Sequence, residues 1–116
     1  MKNAILLVAF LVVGTGSLFA QKPKPVTTSF WVAGACDMCK KTIESAVDVK
    51  GVLTASYDLE NHRLTLTYKP DKISIDAIHT LIHEAGYDTE IGNCTEAQYN
   101  RVHQCCRYRD PELTHP

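Results

Sequence analysis

Between Val26 and Ile91 the apolar side chains change their spacing repeatedly, and this alternation of periods leaves the chain very few folds. Thr27, Thr28, Phe30, Trp31 and Val32 favour a strand, which the small residues Ala33-Gly34-Ala35 end. Cys39, Ile43, Ala46 and Val47 then recur at three- and four-residue intervals, predicting a helix of about 10 residues that ends near Gly51, with Glu44 and Asp48 facing water. Leu53, Ala55, Tyr57 and Leu59 alternate with polar residues, as do Leu64, Leu66 and Tyr68. Glu60-Asn61 between the two runs is turn chemistry, so they form a hairpin, closed by Pro70-Asp71. Ser74 suits the N-cap of a second helix, whose stripe Ile75, Ile78, Ile82 and Ala85 stops at Gly86. Tyr87 to Ile91 reads as a short final strand.

The order is strand, helix, strand, strand, helix, strand. That is the α+β, ferredoxin-like βαββαβ pattern, an antiparallel four-stranded sheet with both helices on one face. Trp31 and Tyr57 are core candidates. Beyond Gly92-Asn93, Thr95 and Gln98 have the spacing of a capping box, and Tyr99, Val102 and Cys106 share a helical face. A short C-terminal helix to about Arg107 is expected, followed by a frayed end.

The first residues read as an address. Lys2 supplies a positive start, Ala4 to Val13 is apolar throughout, and Ser17-Leu18-Phe19-Ala20 offers a small residue for cleavage before Gln21. The apolar run falls short of the roughly 18 to 20 residues a spanning helix needs, so a cleaved signal peptide at 1–20 is favoured over a retained anchor. Export to a periplasm, or secretion, follows. Residues 21–25, with Pro23 and Pro25, form a stiff linker, residues 26–91 a single domain and residues 92–116 a cysteine-containing tail. Without Lys2 the formal charge is 11 − 13 = −2, which argues against nucleic acid as a partner.

Five cysteines in a small exported chain suggest disulfides, yet the count is odd. Cys36 and Cys39 form a tight pair, whereas Cys94, Cys105 and Cys106 are distal. Two thiolates separated by two residues, in a loop entering a helix, converge on one ion, while the helix N-terminus and Lys40 favour their anionic form. Sulfur-only ligation selects Cu(I), Hg(II) or Zn(II) over hard cations. The same features also serve thiol-disulfide exchange.

The stretch Ala33-Gly34-Ala35-Cys36-Asp37-Met38-Cys39-Lys40, the order of elements, and Ala85-Gly86-Tyr87 before the last strand together resemble the heavy-metal-associated domain family. That family contains copper chaperones, metal-ATPase modules and a periplasmic mercury-binding protein. The resemblance spans about residues 26 to 91. It implies that Cys36 and Cys39 ligate the metal, Cu(I) foremost with Hg(II) or Zn(II) as alternatives, and that Tyr87 stands in the neighbouring loop. It implies delivery by ligand exchange to a membrane metal transporter or another metal-binding domain, by a monomer or a weak metal-bridged dimer, with no enzymatic reaction. Where the family carries a loop-anchoring Met this chain has Gly34, so the loop is either more mobile or differently braced. Met38 packs inward, lies exposed or offers a thioether; Asp37 is expected to face solvent.

For the tail, two expectations compete. Cys105 or Cys106, with His103, docks near the metal loop as accessory ligands; alternatively Cys94 forms a disulfide with Cys105 or Cys106, and free thiols are the remaining case. On an ideal helix Cys105 and Cys106 point about 100° apart, so joint ligation needs the helix to end there. His79 and His83 have a metal-compatible i, i+4 spacing but no third ligand, and are expected on a solvated face; His62 and His115 are expected to be incidental. Against metal delivery stand a thiol-disulfide oxidoreductase using the same cysteines and a scavenger or sensor without an acceptor. The oxidoreductase is disfavoured because no proline is placed to face the cysteines.

Overall fold

The computed structural model describes residues 23–102 and 107–109. The expected signal peptide, residues 21–22 of the linker, His103, Cys105, Cys106 and the end with His115 lie outside the described residues.

Strands β1 (Val26–Trp31), β2 (Val52–Asp58) and β3 (Arg63–Tyr68) form an antiparallel sheet in the order β1-β3-β2. Strand alternation sends Phe30, Tyr57, Leu64 and Leu66 inward, where they join Ile43 and Val47 of the first helical segment and Ile78 and Ile82 of the second in one core. Helices α1 (Asp37–Ala46) and α2 (Ile75–Glu84) therefore cover the same face of the sheet. Thr65 and Thr67 face the other side. The alternation slips at one place: a register shift between Val52 and Thr54 leaves Leu53 half exposed, so this residue does not join the core as its spacing predicts. Trp31 is also a correction, since it lies on the outer face at the strand's end, 39% exposed.

Local chemistry sets the element ends. The Ser74 hydroxyl accepts from the Ala77 N–H at 3.1 Å and starts α2. At its C-terminus Gly86 takes φ +101°, with Gly86 N–H donating to His83 O and Tyr87 N–H to Ile82 O, which is a Schellman closure. A Cβ on Gly86 would also lie 2.5 Å from Val102 Cγ2 and 2.6 Å from Gln98 O, so glycine is needed for packing as well. The expected C-terminal helix is seen as one turn, α3 (Glu96–Tyr99), with Thr95 and Gln98 completing the capping box.

The fourth strand is not formed among the described residues. Residues 88–90 do lie beside the end of β1, through Ala33 N–H to Asp88 O at 3.0 Å and Glu90 N–H to Trp31 O at 3.1 Å, but the pairing is limited to isolated bridges at Thr89. Thr89 turns back at once, pairing with Gly92, and two histidines hold the turn. His79 Nδ1 is 2.8 Å and His83 Nε2 3.0 Å from Thr89 Oγ1, and His83 Nε2 is also 3.0 Å from Gly92 O. The expectation of a solvated histidine face is thus overturned: His79 is 3% exposed, its ring centroid 4.1 Å from that of Phe30.

Burial, with the neighbouring His83 charge, pushes the His79 imidazole below its ordinary value, against weaker opposition from Glu90 and Asp76. An unfolded histidine takes its proton near pH 6.5. Folded His79 resists doing so, so in the window from there down to its depressed folded value the unfolded chain binds more protons and stability falls with pH. Urea midpoints are expected to be lower at about pH 5.5 than at about pH 7.5, and His79→Gln should shrink the difference. An undiminished difference in that variant would remove His79 as its source.

Candidate metal site

Cys36 is the N-cap of α1, in extended conformation at φ −155°, and Cys39 is the third helical residue. Side chains at these two positions face each other across the first turn, the relation used by a capping box. The two sulfurs stand 3.6 Å apart. This is far beyond the roughly 2.05 Å of a disulfide, so they are not bonded to each other. Neither stands as a free thiol in this structure, so metal binding requires both to be reduced. An ion about 2.3 Å from both would see them at about 100°, close to the tetrahedral angle, whereas linear coordination would need about 4.6 Å. Cys39 is fully buried and Cys36 half-buried. Asp37 is exposed as expected; Met38 is 44% exposed, so it does not pack inward. Among the described residues no group of three or more His, Cys, Asp or Glu side chains is placed to hold a metal.

The loop is braced by Tyr57. Its hydroxyl donates to Val32 O at 2.6 Å, and a Cβ on Gly34 would lie 2.6 Å from the same oxygen. The glycine that leaves the loop without an apolar anchor is what admits the phenol beneath it. His62 Nδ1 stands 3.3 Å from the hydroxyl, in a turn where His62 adopts φ +55°. Because that hydroxyl spends its proton on Val32, the imidazole is the donor to it. The Tyr57 backbone is held from α1: its N–H donates to Glu44 Oε2 at 2.8 Å, and Lys40 Nζ donates to its carbonyl at 2.7 Å. Lys40 also pairs with Glu44 at 2.9 Å. The ammonium expected to assist the cysteines is thereby engaged on β2. Burial opposes ionisation of Glu44, but the Tyr57 N–H and Lys40 hold its carboxyl below the usual range. Burial pushes the Tyr57 phenol well above its own.

A second assembly ties the tail to the loop's other flank. The Arg109 guanidinium grips the Asp88 carboxylate, with Nη2 to Oδ1 at 2.7 Å and Nε to Oδ2 at 3.3 Å. Tyr108 donates to Gly86 O at 2.8 Å and accepts from the Asp88 N–H at 3.0 Å. Its ring stacks on Tyr87 with centroids 5.8 Å apart and meets Tyr99 edge-on at 5.0 Å, while Arg109 lies over Tyr99 at 4.6 Å. Cys94 is a buried free thiol here, 3.5 Å from the Tyr108 hydroxyl, so the expected Cys94 disulfide is not formed. Burial pushes that thiol up. Tyr108 shares a cleft with Ala33, Gly34, Trp31, His62 and Asp88, which places the returning tail beside the loop that leads into Cys36.

The structure therefore brings Cys36 and Cys39 together, buries Tyr87 under the ring of Tyr108, and leaves Cys105 and Cys106 outside the described residues. Tyr57, Glu44, Asp88, Tyr108 and Arg109 carry no sequence signal of a site role. Only the inward phase of Tyr57 and the missing side chain at position 34 pointed towards a substitute anchor.

A small α+β sandwich presenting two sulfurs at a helix start defines a soft-metal-binding module. The heavy-metal-associated domain model matches residues 29–88, more than half of the chain, and the chain belongs to that family. It is 30% identical over 57 residues to a copper chaperone CopZ of Staphylococcus haemolyticus, an alignment covering 48% of this chain and 84% of that protein. Oxidised MerP from Ralstonia metallidurans CH34 superposes with a TM-score of 0.54 at 25% identity, over 58% of this chain and 96% of the other. A copper binding domain from HMA7, a P-type ATPase, does so with a TM-score of 0.53 at 29% identity, over 55% and 89%. The matched region ends where the tail assembly begins.

Asp88 is mostly buried, and burial works against its charge, yet the Arg109 guanidinium and the Cys94 N–H hold its carboxyl below the usual range. Arg109→Ala should lower stability by about 2 kcal/mol, because a largely desolvated carboxylate loses its charged partner. Asp88→Asn/Arg109→Ala should recover part of the loss. Urea denaturation of both variants checks this.

Proposed function

We propose that this chain is an exported metal-delivery protein in which Cys36 and Cys39 hold a soft ion, Cu(I) foremost with Hg(II) or Zn(II) as alternatives, and release it by ligand exchange. The acceptor is a membrane metal transporter or a second metal-binding domain. The observation that carries the reading is the 3.6 Å separation of two sulfurs at the N-cap and in the first turn of α1, where the positive end of the helix favours anionic ligands. Family membership and the resemblance to a copper chaperone support it. The unequal exposure of the pair gives exchange a direction: an incoming thiolate reaches the half-buried Cys36 end first, and buried Cys39 lets go last.

Cys105 and Cys106 are the proposed accessory ligands. Two features support this role. Two reduced sulfurs at a bent-coordination separation would leave further positions around an ion to be filled. Val102 packs on Gly86, and Tyr108 stacks on Tyr87 and shares a cleft with Ala33 and Gly34 of the metal loop, so described residues on either side of the two cysteines belong to the domain.

Titration with Cu(I), Hg(II) and Zn(II) under reducing conditions is expected to give one ion per chain. Cys36→Ser/Cys39→Ser should weaken capture at least about a hundredfold, close to 2.7 kcal/mol. Cys105→Ser/Cys106→Ser should weaken it about tenfold and lower the number of sulfurs seen by X-ray absorption. Transfer to a cysteine-pair acceptor domain should outrun loss of the ion to a chelator. Full-strength binding by the Cys36/Cys39 variant would overturn the reading, and transfer no faster than loss would turn delivery into buffering.

A further inference from the structure

Cys36 and Cys39 are both disulfide-bonded in this structure. Their sulfurs stand 3.6 Å apart, too far for that bond to join them to each other. Cys94 is a free thiol, so it is the partner of neither. The chain carries five cysteines, and setting these three aside leaves Cys105 and Cys106. Described residues on either side of that pair reach the metal loop and its flank: Val102 packs on Gly86, and Tyr108 shares a cleft with Ala33 and Gly34.

We propose that Cys105 and Cys106 form two disulfides with Cys36 and Cys39, so that the tail stores the metal cysteines in an oxidised form and metal binding begins only when both cross-links are reduced. The switch rests on the reading that Cys36 and Cys39 are the ligands; the cross-links do not. Each cross-link opens by exchange with a dithiol reductant, small or protein-borne. One reductant thiolate bonds to a sulfur of the cross-link as the S–S bond breaks, and the other protein sulfur leaves as a thiolate. The second reductant thiol then displaces the first protein sulfur and closes the reductant's own disulfide, so two electrons and two protons end on the protein pair. The N-terminus of α1 stabilises the Cys36 and Cys39 thiolates as leaving groups, which speeds the step. Burial orders it: the half-buried Cys36 cross-link opens before that of Cys39, which is 0% exposed. Cys94 stays out of the exchange, because it is buried 3.5 Å from the Tyr108 hydroxyl and burial keeps its thiol protonated. The four released sulfurs are the primary and accessory ligands proposed for the ion, so one set of residues closes the site when oxidised and fills it when reduced.

The test begins with the full chain purified without reductant and cleaved by trypsin, which leaves Cys36 and Cys39 in one peptide and Cys105 and Cys106 in another. Mass spectrometry is expected to find the two joined as one species, lighter than their summed masses by the roughly 4 Da of the hydrogens lost in two disulfides. Thiol counting in denaturant is expected to find one free thiol per chain, at Cys94. A Cys36–Cys39 disulfide, a cross-link to Cys94, a covalent dimer or five free thiols overturns the proposal. Zn(II), which brings no redox chemistry of its own, is then titrated against a chelator before and after reduction. The oxidised chain should bind it at least about a hundredfold more weakly than the reduced chain. Equal binding overturns the switch. Reduced Cys36→Ser/Cys39→Ser, its fold checked by circular dichroism, separates the two failures: undiminished Zn(II) binding there overturns the ligand assignment and the switch with it, while the mapped cross-links stand.

Discussion

The hydrogen bond from the Tyr57 hydroxyl to Val32 O is the constraint on which the metal loop depends. It joins the middle of the β2–β3 hairpin to the last residue before the loop, inside a region with no water to compete for either group. Its length, 2.6 Å, is possible only because position 34 is glycine; any Cβ there would collide with the donor. A loop that lacks a side chain of its own to bury is held by a side chain reaching in from the sheet. The substitution of one anchor for the other changes its chemistry, since a phenol fixes a particular carbonyl where a thioether would fill space. The direction of the loop is therefore set by a directed bond, and the cysteines inherit that direction.

Elements whose partners lie on the same element were legible from sequence. Both helices, the Ser74 cap, the Thr95–Gln98 capping box and, apart from the slip at Leu53, the hairpin follow from residues three, four or two apart. Cys36 and Cys39 were legible for the same reason, because their convergence is a property of one helical turn. What the sequence left hidden depends on groups far apart along the chain. The helical wheel of α2 puts His79 at the edge of the apolar stripe, about 40° from Ile75, and His83 beyond it, but nothing within that helix reveals that Thr89 comes to meet them. Phe30 then closes over His79 from β1. The same threonine explains the missing fourth strand: a residue whose side chain bonds two histidines and whose N–H bonds Gly92 O cannot also propagate a ladder along β1. Residues 88–90 occupy the strand's place without its regular pairing.

The tail assembly extends the unit past the region shared with the relatives. Asp88 is the joint. Its backbone carbonyl bonds Ala33, which leads into the loop, its N–H bonds Tyr108, and its carboxylate bonds Arg109. A single residue thus couples the strand that feeds the metal loop to a segment twenty residues further on, and the aromatic layer of Tyr87, Tyr99 and Tyr108 encloses the coupling on its apolar side. Periodicity assigns such a segment to a frayed end because it contains no repeat; its order comes from the Arg109 ion pairs to Asp88 and Glu96 and from three rings, with partners distant in sequence.

Charge around the cysteines follows a similar economy. A singly charged cation held by two thiolates keeps a net negative charge, and a nearby lysine would be the ordinary means of neutralising it. Here Lys40, adjacent to Cys39, is spent on Glu44 and on the Tyr57 carbonyl, so its positive charge supports the brace rather than the ligands. Compensation then falls to the N-terminus of α1, whose backbone dipoles are fixed in place and need no side chain to move when an ion is bound or released. A site stabilised by backbone dipoles retains its electrostatics through an exchange in which one sulfur after the other is replaced. A lysine bound to the thiolates would have to be displaced at each step, whereas one committed to the brace holds the loop's geometry constant while the ligands change.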